Sequence, residues 1–163
     1  MSSDRRPLDI TYSGTPGQAR TMYDERLVAP MRRELTDLGF SELRTAGEVD
    51  DALSSTEGTA LVIVNSVCGC SARMARPAAR LAVANEVVPE HLYTVFAGQD
   101  AEATERARGY FDPHPPSSPC FALMKDGKLV WMLERKQIEG RAATDIAEDV
   151  VSAFDRYCGE PGA

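Results

Sequence analysis

The sequence predicts an α/β domain: a four-stranded mixed sheet flanked by helices, with extra helices before it. Three stretches carry that reading. The first is Ala60 to Val64, a short, β-branched apolar run that reads as a buried strand. It passes through Asn65 and Ser66 into Cys68-Gly69-Cys70 and then an alanine- and arginine-rich helix. The second is Leu92 to Ala97, a strand rich in Val, Tyr and Phe. The third is Cys120–Lys125 and Lys128–Leu133 around Asp126-Gly127, a hairpin pattern whose Asp-Gly pair suits a two-residue type I′ turn.

The remaining elements follow in order. Residues 1–19 have no apolar period and read as a mobile tail. From Thr21 to Leu38, Val28, Met31, Leu35 and Leu38 recur at helical spacing, and Gly39 stops the run. Pro30 should kink this helix or mark its true start. Thr45-x-x-Glu48 is a capping-box pattern for a short helix over about 46–54. The helix after Cys70 should reach about Glu86, with Pro77 kinking it or delaying its start. Asp100 can cap a helix from Ala101 to about Tyr110, and Pro113, Pro115 and Pro116 stiffen the next loop. The last helix, about Ala143 to Tyr157, carries Ile146, Val150, Val151 and Phe154 on one face. One domain over 20–158 and a short tail over 159–163 complete the division.

The 18 Lys and Arg against 25 Asp and Glu give a net charge of −7, and no basic run interrupts the chain, so nucleic acid is excluded as a partner class. No apolar run is long enough to span a membrane. The N-terminal residues carry no signal-peptide pattern, and Arg5-Arg6 alone does not make a twin-arginine signal. A cytoplasmic address is expected, where thiols rest reduced. The four cysteines then read as catalytic, metal-binding or inert rather than as structural bridges.

Strand, loop and helix place Cys68 and Cys70 at a helix N-terminus, where free N–H groups and partial positive charge favour a thiolate. A Cys-x-Cys disulfide closes a small ring, and strain would make it readily reduced. Gly69, without a Cβ, gives that loop freedom to close. Cys70 lies deeper in the first helical turn, where access should be poorer. Arg73 and Arg76, within two turns, are candidates to hold a thiolate or a carboxylate, against a plain solvated face. A metal site built from Cys68, Cys70 and one of Cys120 or Cys158 is an alternative. Against it, structural zinc usually takes four ligands, and neither His91 nor His114 has ligand spacing to the pair. No nucleotide or flavin fingerprint is present, so electrons must come from a small thiol or a partner reductase.

From Ala60 onward the order β-α-β-α-β-β-α matches the thioredoxin fold, with the first two strands parallel through a right-handed crossover. In that fold a cis-proline stands beside the active-site cysteine, and Pro119, after Ser118, is its candidate. Beyond topology, Val64-Asn-Ser-Val-Cys-Gly-Cys70, Ala75-Arg-Pro-Ala-Ala79, Val95-Phe-Ala-Gly-Gln-Asp100, Pro116-Ser-Ser-Pro119 and Ile138-Glu-Gly140 resemble the bacilliredoxins. So do Ala29-Pro-Met-Arg-Arg-Glu-Leu35 and the ending Phe154 to Cys158. The resemblance runs from about Met22 to Cys158. It implies reduction of mixed disulfides between client proteins and bacillithiol, a low-molecular-weight thiol co-substrate, with no bound cofactor or metal. Disulfide reductase or isomerase activity is also associated with the family. By resemblance Cys68 is the nucleophile and Cys70 the resolving thiol. Arg76 gains weight because it falls in a family segment. Cys120 stands where the family usually has serine, which makes it, with the family-matched Cys158, a candidate auxiliary thiol.

Overall fold

The computed structural model describes residues 22–54 and 57–159. Among them, five strands form one mixed sheet in the order β1-β3-β2-β4-β5. The strands are β1 (Ser41–Glu42), β2 (Thr59–Asn65), β3 (His91–Phe96), β4 (Cys120–Lys125) and β5 (Lys128–Leu133). The N-terminal tail expected over 1–19 lies outside the described residues, as do 55 and 56 and all of the C-terminal tail but Gly159. The added strand is β1, two residues paired in parallel to Tyr93 and Thr94. Two residues leave too short an alternation to register as a strand in sequence.

All seven residues of β2 are buried, as a central strand flanked on both faces requires. Its side chains alternate between two cores. Leu61 and Ile63 join Phe121, Leu123, Ile146, Val150 and Phe154 on one face. Ala60, Val62 and Val64 join Val49, Ala103, Ala107, Cys120 and Met124 on the other. Strand β3 runs parallel to β2, and β4 runs antiparallel to it with Val64 opposite Cys120. The β4–β5 turn is type I′ as expected, because Asp126 and Gly127 both have positive φ, 48° and 82°.

Helix α1 (Glu25–Thr36) starts at the side-chain cap of Asp24, so Pro30 lies inside it. Helix α2 (Ala46–Leu53) begins with the Thr45 hydroxyl accepting from the Glu48 N–H at 3.1 Å. Glu48 reaches back to the N–H of Arg44 rather than to that of Thr45. The helix after the thiols departs furthest from expectation. It passes through a π-helical stretch, Ser71–Ala75, before α3 (Arg76–Ala82). Pro77 has no N–H to give the carbonyl four residues back, and the widened turn directly ahead of it accommodates that loss. Helix α3 ends four residues earlier than expected: Ala84 and Asn85 tighten into i→i−3 bonds, and the Asn85 amide donates to the Val87 carbonyl at 2.9 Å. Helix α4 (Ala101–Gly109) has no side-chain cap. The Asp100 carboxylate instead accepts from buried Arg32 at 2.8 and 3.2 Å. Helix α5 (Ala143–Tyr157) packs on the first core as its apolar face predicts.

Candidate functional site

The site is built on the C-terminal end of β2. Asn65, the last strand residue, is buried and its side chain holds four partners at once. Its amide donates to the Met31 carbonyl at 3.2 Å, and its Oδ1 accepts from the Ser66 N–H at 2.9 Å and Arg76 Nη1 at 2.8 Å. Arg76 Nη1 also donates to the Ser66 carbonyl at 2.9 Å, and Nε to Glu34 Oε1 at 2.9 Å. The Ser71 hydroxyl accepts from the Ser66 N–H at 3.1 Å and donates to Asn65 Oδ1 at 3.4 Å. These bonds tie strand end, loop and helix start into one rigid unit, so the residues that follow have little freedom.

Cys68 and Cys70 are free, half-buried thiols on that unit. The Ser66 hydroxyl donates to Cys68 Sγ at 3.2 Å. Burial alone would raise the Cys68 pKa. The Ser66 hydroxyl, the backbone N–H groups of Ser71 and Cys70, and the charge of Arg135 together outweigh it and hold the thiol below its ordinary value. Cys70 is shifted the other way: burial, repulsion from a Cys68 thiolate and a bond to Glu139 raise it against the pull of Arg135. Its Sγ donates to Glu139 Oε2 at 3.6 Å. The two thiols are therefore shifted in opposite directions, Cys68 toward the thiolate and Cys70 toward the thiol. The expected order of access is reversed, since Cys68 is enclosed by the Ser66 loop while Cys70 sits at the exposed rim with Glu139.

Arg135 and Glu139 come from the segment after β5. Arg135 opens a 3-10 turn, Arg135–Gln137, that closes with a capping box of Glu134 and Gln137. Its guanidinium bonds Glu139 at 3.0 and 3.2 Å and reaches the Ser118 carbonyl at 3.5 Å. Its own N–H donates to the Ser117 hydroxyl at 2.7 Å. The Ser118–Pro119 peptide is cis, and the β2–β4 register carries Pro119 to the level of Asn65. A cleft of about 400 Å³ opens here, lined by Arg108, Pro116, Ser117, Ser118, Glu134, Arg135, Lys136 and Glu139.

The other sequence candidates fall elsewhere. Arg76 is 3 % exposed and spent on Asn65, Ser66 and Glu34, so it supports the loop from beneath and cannot reach a ligand. Gly69 needs no left-handed backbone, and a Cβ there would meet exposed Arg73 Nη2 at 3.3 Å. The two candidate auxiliary thiols lie in different settings. Cys120 is wholly buried in the second core, and burial pushes its thiol up to about 12. Cys158, at the end of α5, interacts with Thr59, the first residue of β2. The strand rises ~3.3 Å per residue, so its seven residues separate Cys158 from the thiol loop by roughly 20 Å. Among the described residues no group of three or more His, Cys, Asp or Glu could hold a metal ion, and no helix is long and apolar enough to cross a membrane.

Sequence reasoning passed over Ser66, Ser71, Arg135 and Glu139. Ser66 and Glu139 lie in the segments that carried the resemblance. Arg135 and Ser71 had no such signal, because only the folded β5 turn and the π-helical stretch bring them in. Replacing Ser66 with alanine removes a hydroxyl donor from the thiolate. A hydrogen bond to a charged group contributes about 1.5–3 kcal/mol, and the half-exposed thiol stands at the low end, so alkylation of Cys68 at neutral pH should slow roughly tenfold. The pH profile of iodoacetamide labelling checks this: the two proteins should converge at high pH, where both are fully thiolate. Unchanged rates at neutral pH would show that the hydroxyl contributes nothing.

Comparisons with known proteins give the family and the fold. The family described as "Disulphide isomerase" matches residues 23–158. A bacilliredoxin of Salinibacter ruber is 55% identical over 140 residues, covering 85% of this chain and 82% of that protein. A bacilliredoxin of Koribacter versatilis is 53% identical over 138 residues, covering 85% of this chain and 95% of that protein. Among solved structures, Chlamydomonas reinhardtii thioredoxin f2 superposes with a TM-score of 0.53 at 12% identity, over 76% of this chain and 100% of that one. Malassezia sympodialis thioredoxin does so with a TM-score of 0.52 at 10% identity, over 74% and 92%. The solved structures carry the fold and the relatives carry the family: this chain belongs to the bacilliredoxins and is a thiol–disulfide oxidoreductase of the thioredoxin fold.

Proposed function

We propose that this protein reduces mixed disulfides between bacillithiol and client proteins, with Cys68 as attacking thiol and Cys70 as resolving thiol. The observation that carries the reading is the unlike setting of the two thiols within one loop: Cys68 Sγ accepts from the Ser66 hydroxyl at 3.2 Å, while Cys70 Sγ donates to the Glu139 carboxylate at 3.6 Å, which shifts Cys68 down and Cys70 up. The Cys68 thiolate attacks the bacillithiol sulfur, the client sulfur leaves as thiolate, and the adduct forms on Cys68. At that point Cys68 carries no charge, so its repulsion on Cys70 ends while Arg135 still attracts a thiolate there. Cys70 becomes easier to ionise only once it has an adduct to attack. Its attack on Cys68 Sγ expels bacillithiol and closes the Cys68–Cys70 disulfide. Free bacillithiol or a reductase then returns the pair to dithiol. The setting is the cytoplasm; client protein and small thiol are the partners.

Turnover of a bacillithiolated client against the same client glutathionylated tests specificity. Faster turnover of the bacillithiolated form is expected, and equal rates would reduce the protein to a generic thiol reductase. The family description favours a second reading, disulfide isomerisation by an oxidising couple. A reduction potential well above that of thioredoxin, about −270 mV, is what both the strained ring and isomerisation require. A thioredoxin-like value would count against both.

A further inference from the structure

We infer that the cleft beside the thiols is a carboxylate-binding subsite for the low-molecular-weight thiol, with Arg108 as its anchor. The inference rests on the reading of Cys68 as the thiol that takes up that molecule. The cleft shares Arg135 and Glu139 with the thiol pair, so it adjoins a group bonded to Cys68 or Cys70. Its lining holds three cations, Arg108, Arg135 and Lys136, against two carboxylates, Glu134 and Glu139, in a chain whose net charge is −7. Both carboxylates are engaged. Glu139 accepts from Arg135 at 3.0 Å, and Glu134 lies 2.7 Å from His114 Nδ1 and 3.8 Å from Lys136.

Arg108 is left over. It stands in none of the ion pairs among the described residues, and its Nε is buried without any hydrogen-bond partner. A guanidinium at the end of α4 suits the helix C-terminus, but that role leaves its head in water. Arg108 lines the cleft, and no carboxylate among the described residues pairs its charge, so the guanidinium suits an anion that arrives with the substrate; a carboxylate matches the planar fork. The hydroxyl of Ser117, which already accepts from the Arg135 N–H, retains its own hydrogen to donate. Bacillithiol carries carboxylates, and so does glutathione, so the subsite selects a charge and leaves the rest of the molecule to other contacts.

The test is Arg108→Gln, with Arg108→Lys beside it. The rate of disulfide formation at Cys68 is measured with bacillithiol disulfide, glutathione disulfide and uncharged hydroxyethyl disulfide. The glutamine variant should react about tenfold more slowly with both carboxylate-bearing disulfides and at the wild-type rate with the uncharged one, with partial recovery in the lysine variant. Iodoacetamide labelling of Cys68 should not change, which separates substrate binding from disturbance of the thiol. Equal slowing with all three disulfides, or no slowing, would overturn the inference. Clients with acidic or neutral residues flanking the modified cysteine form a further arm, and an Arg108 effect that follows the client's charge would assign the site to the client and overturn it too. If Arg108 discriminates charge but bacillithiolated clients are not preferred over glutathionylated ones, the subsite stands and the bacillithiol reading falls. The converse result leaves the function and removes the subsite.

Discussion

Cys68→Ser should abolish client reduction, lowering it at least about a thousandfold. A serine hydroxyl is essentially un-ionised at neutral pH, and the loop offers it no base: Ser66 is a donor, and Arg135 stabilises an anion without removing a proton. Cys70→Ser should behave differently. Its Cys68 thiolate is still held by Ser66, the Ser71 N–H and Arg135, so the first attack proceeds. The adduct then persists until free bacillithiol clears it, and multiple turnover should become dependent on added bacillithiol. Single-turnover and multiple-turnover rates, with and without that thiol, separate the two variants. A Cys70→Ser protein that turns over normally without it would place the resolving step elsewhere.

Arg76→Met should be the most damaging substitution outside the thiols. It keeps the length of the buried side chain but removes the donor shared by Asn65 Oδ1 and the Ser66 carbonyl, and frees Glu34. Asn65 Oδ1 keeps the Ser66 N–H and the Ser71 hydroxyl, and half-exposed Glu34 regains water, so the main loss is the buried Ser66 carbonyl left without its donor, about 1–3 kcal/mol. For a domain of this size that lowers Tm by roughly 2–12 °C. Because Ser66 loses its anchor, Cys68 alkylation at neutral pH should slow as well. Arg76→Lys, which restores charge without the fork, should recover part of the stability. A Tm unchanged in both variants would show that the network beneath the loop carries no stability.

The contrast between Arg76 and Arg135 shows how far the sequence could be read. The buried strand, the hairpin and the last helix rest on local pattern: seven consecutive buried residues in β2, an Asp-Gly pair, a 3.6-residue apolar stripe. Those signals survive folding because burial on both faces, turn chemistry and an amphipathic face are properties of adjacent residues. Arg76 was close to the thiols in number, yet the widened turn of Ser71–Ala75 rotates it under the loop. Arg135 is more than sixty residues away and arrives through the β4–β5 hairpin and its 3-10 turn. The same limit explains Asp100, whose capping position was legible while its partner Arg32, from α1, was not. It also explains Cys158, like Cys68 and Cys70 in chemistry and at the opposite end of β2 in space.

The assignment of roles within Cys68-Gly69-Cys70 is tested most directly by mass spectrometry of the single-cysteine variants after reaction with a bacillithiolated client. The Cys70→Ser protein should carry one bacillithiol on Cys68, with the client thiol released in equal amount, because the lowered Cys68 thiol is the one available as thiolate. The Cys68→Ser protein should carry none and leave the client modified, because Cys70 is held protonated by burial and Glu139. A bacillithiol adduct on Cys70 of the Cys68→Ser protein, with client reduction intact, would contradict the account.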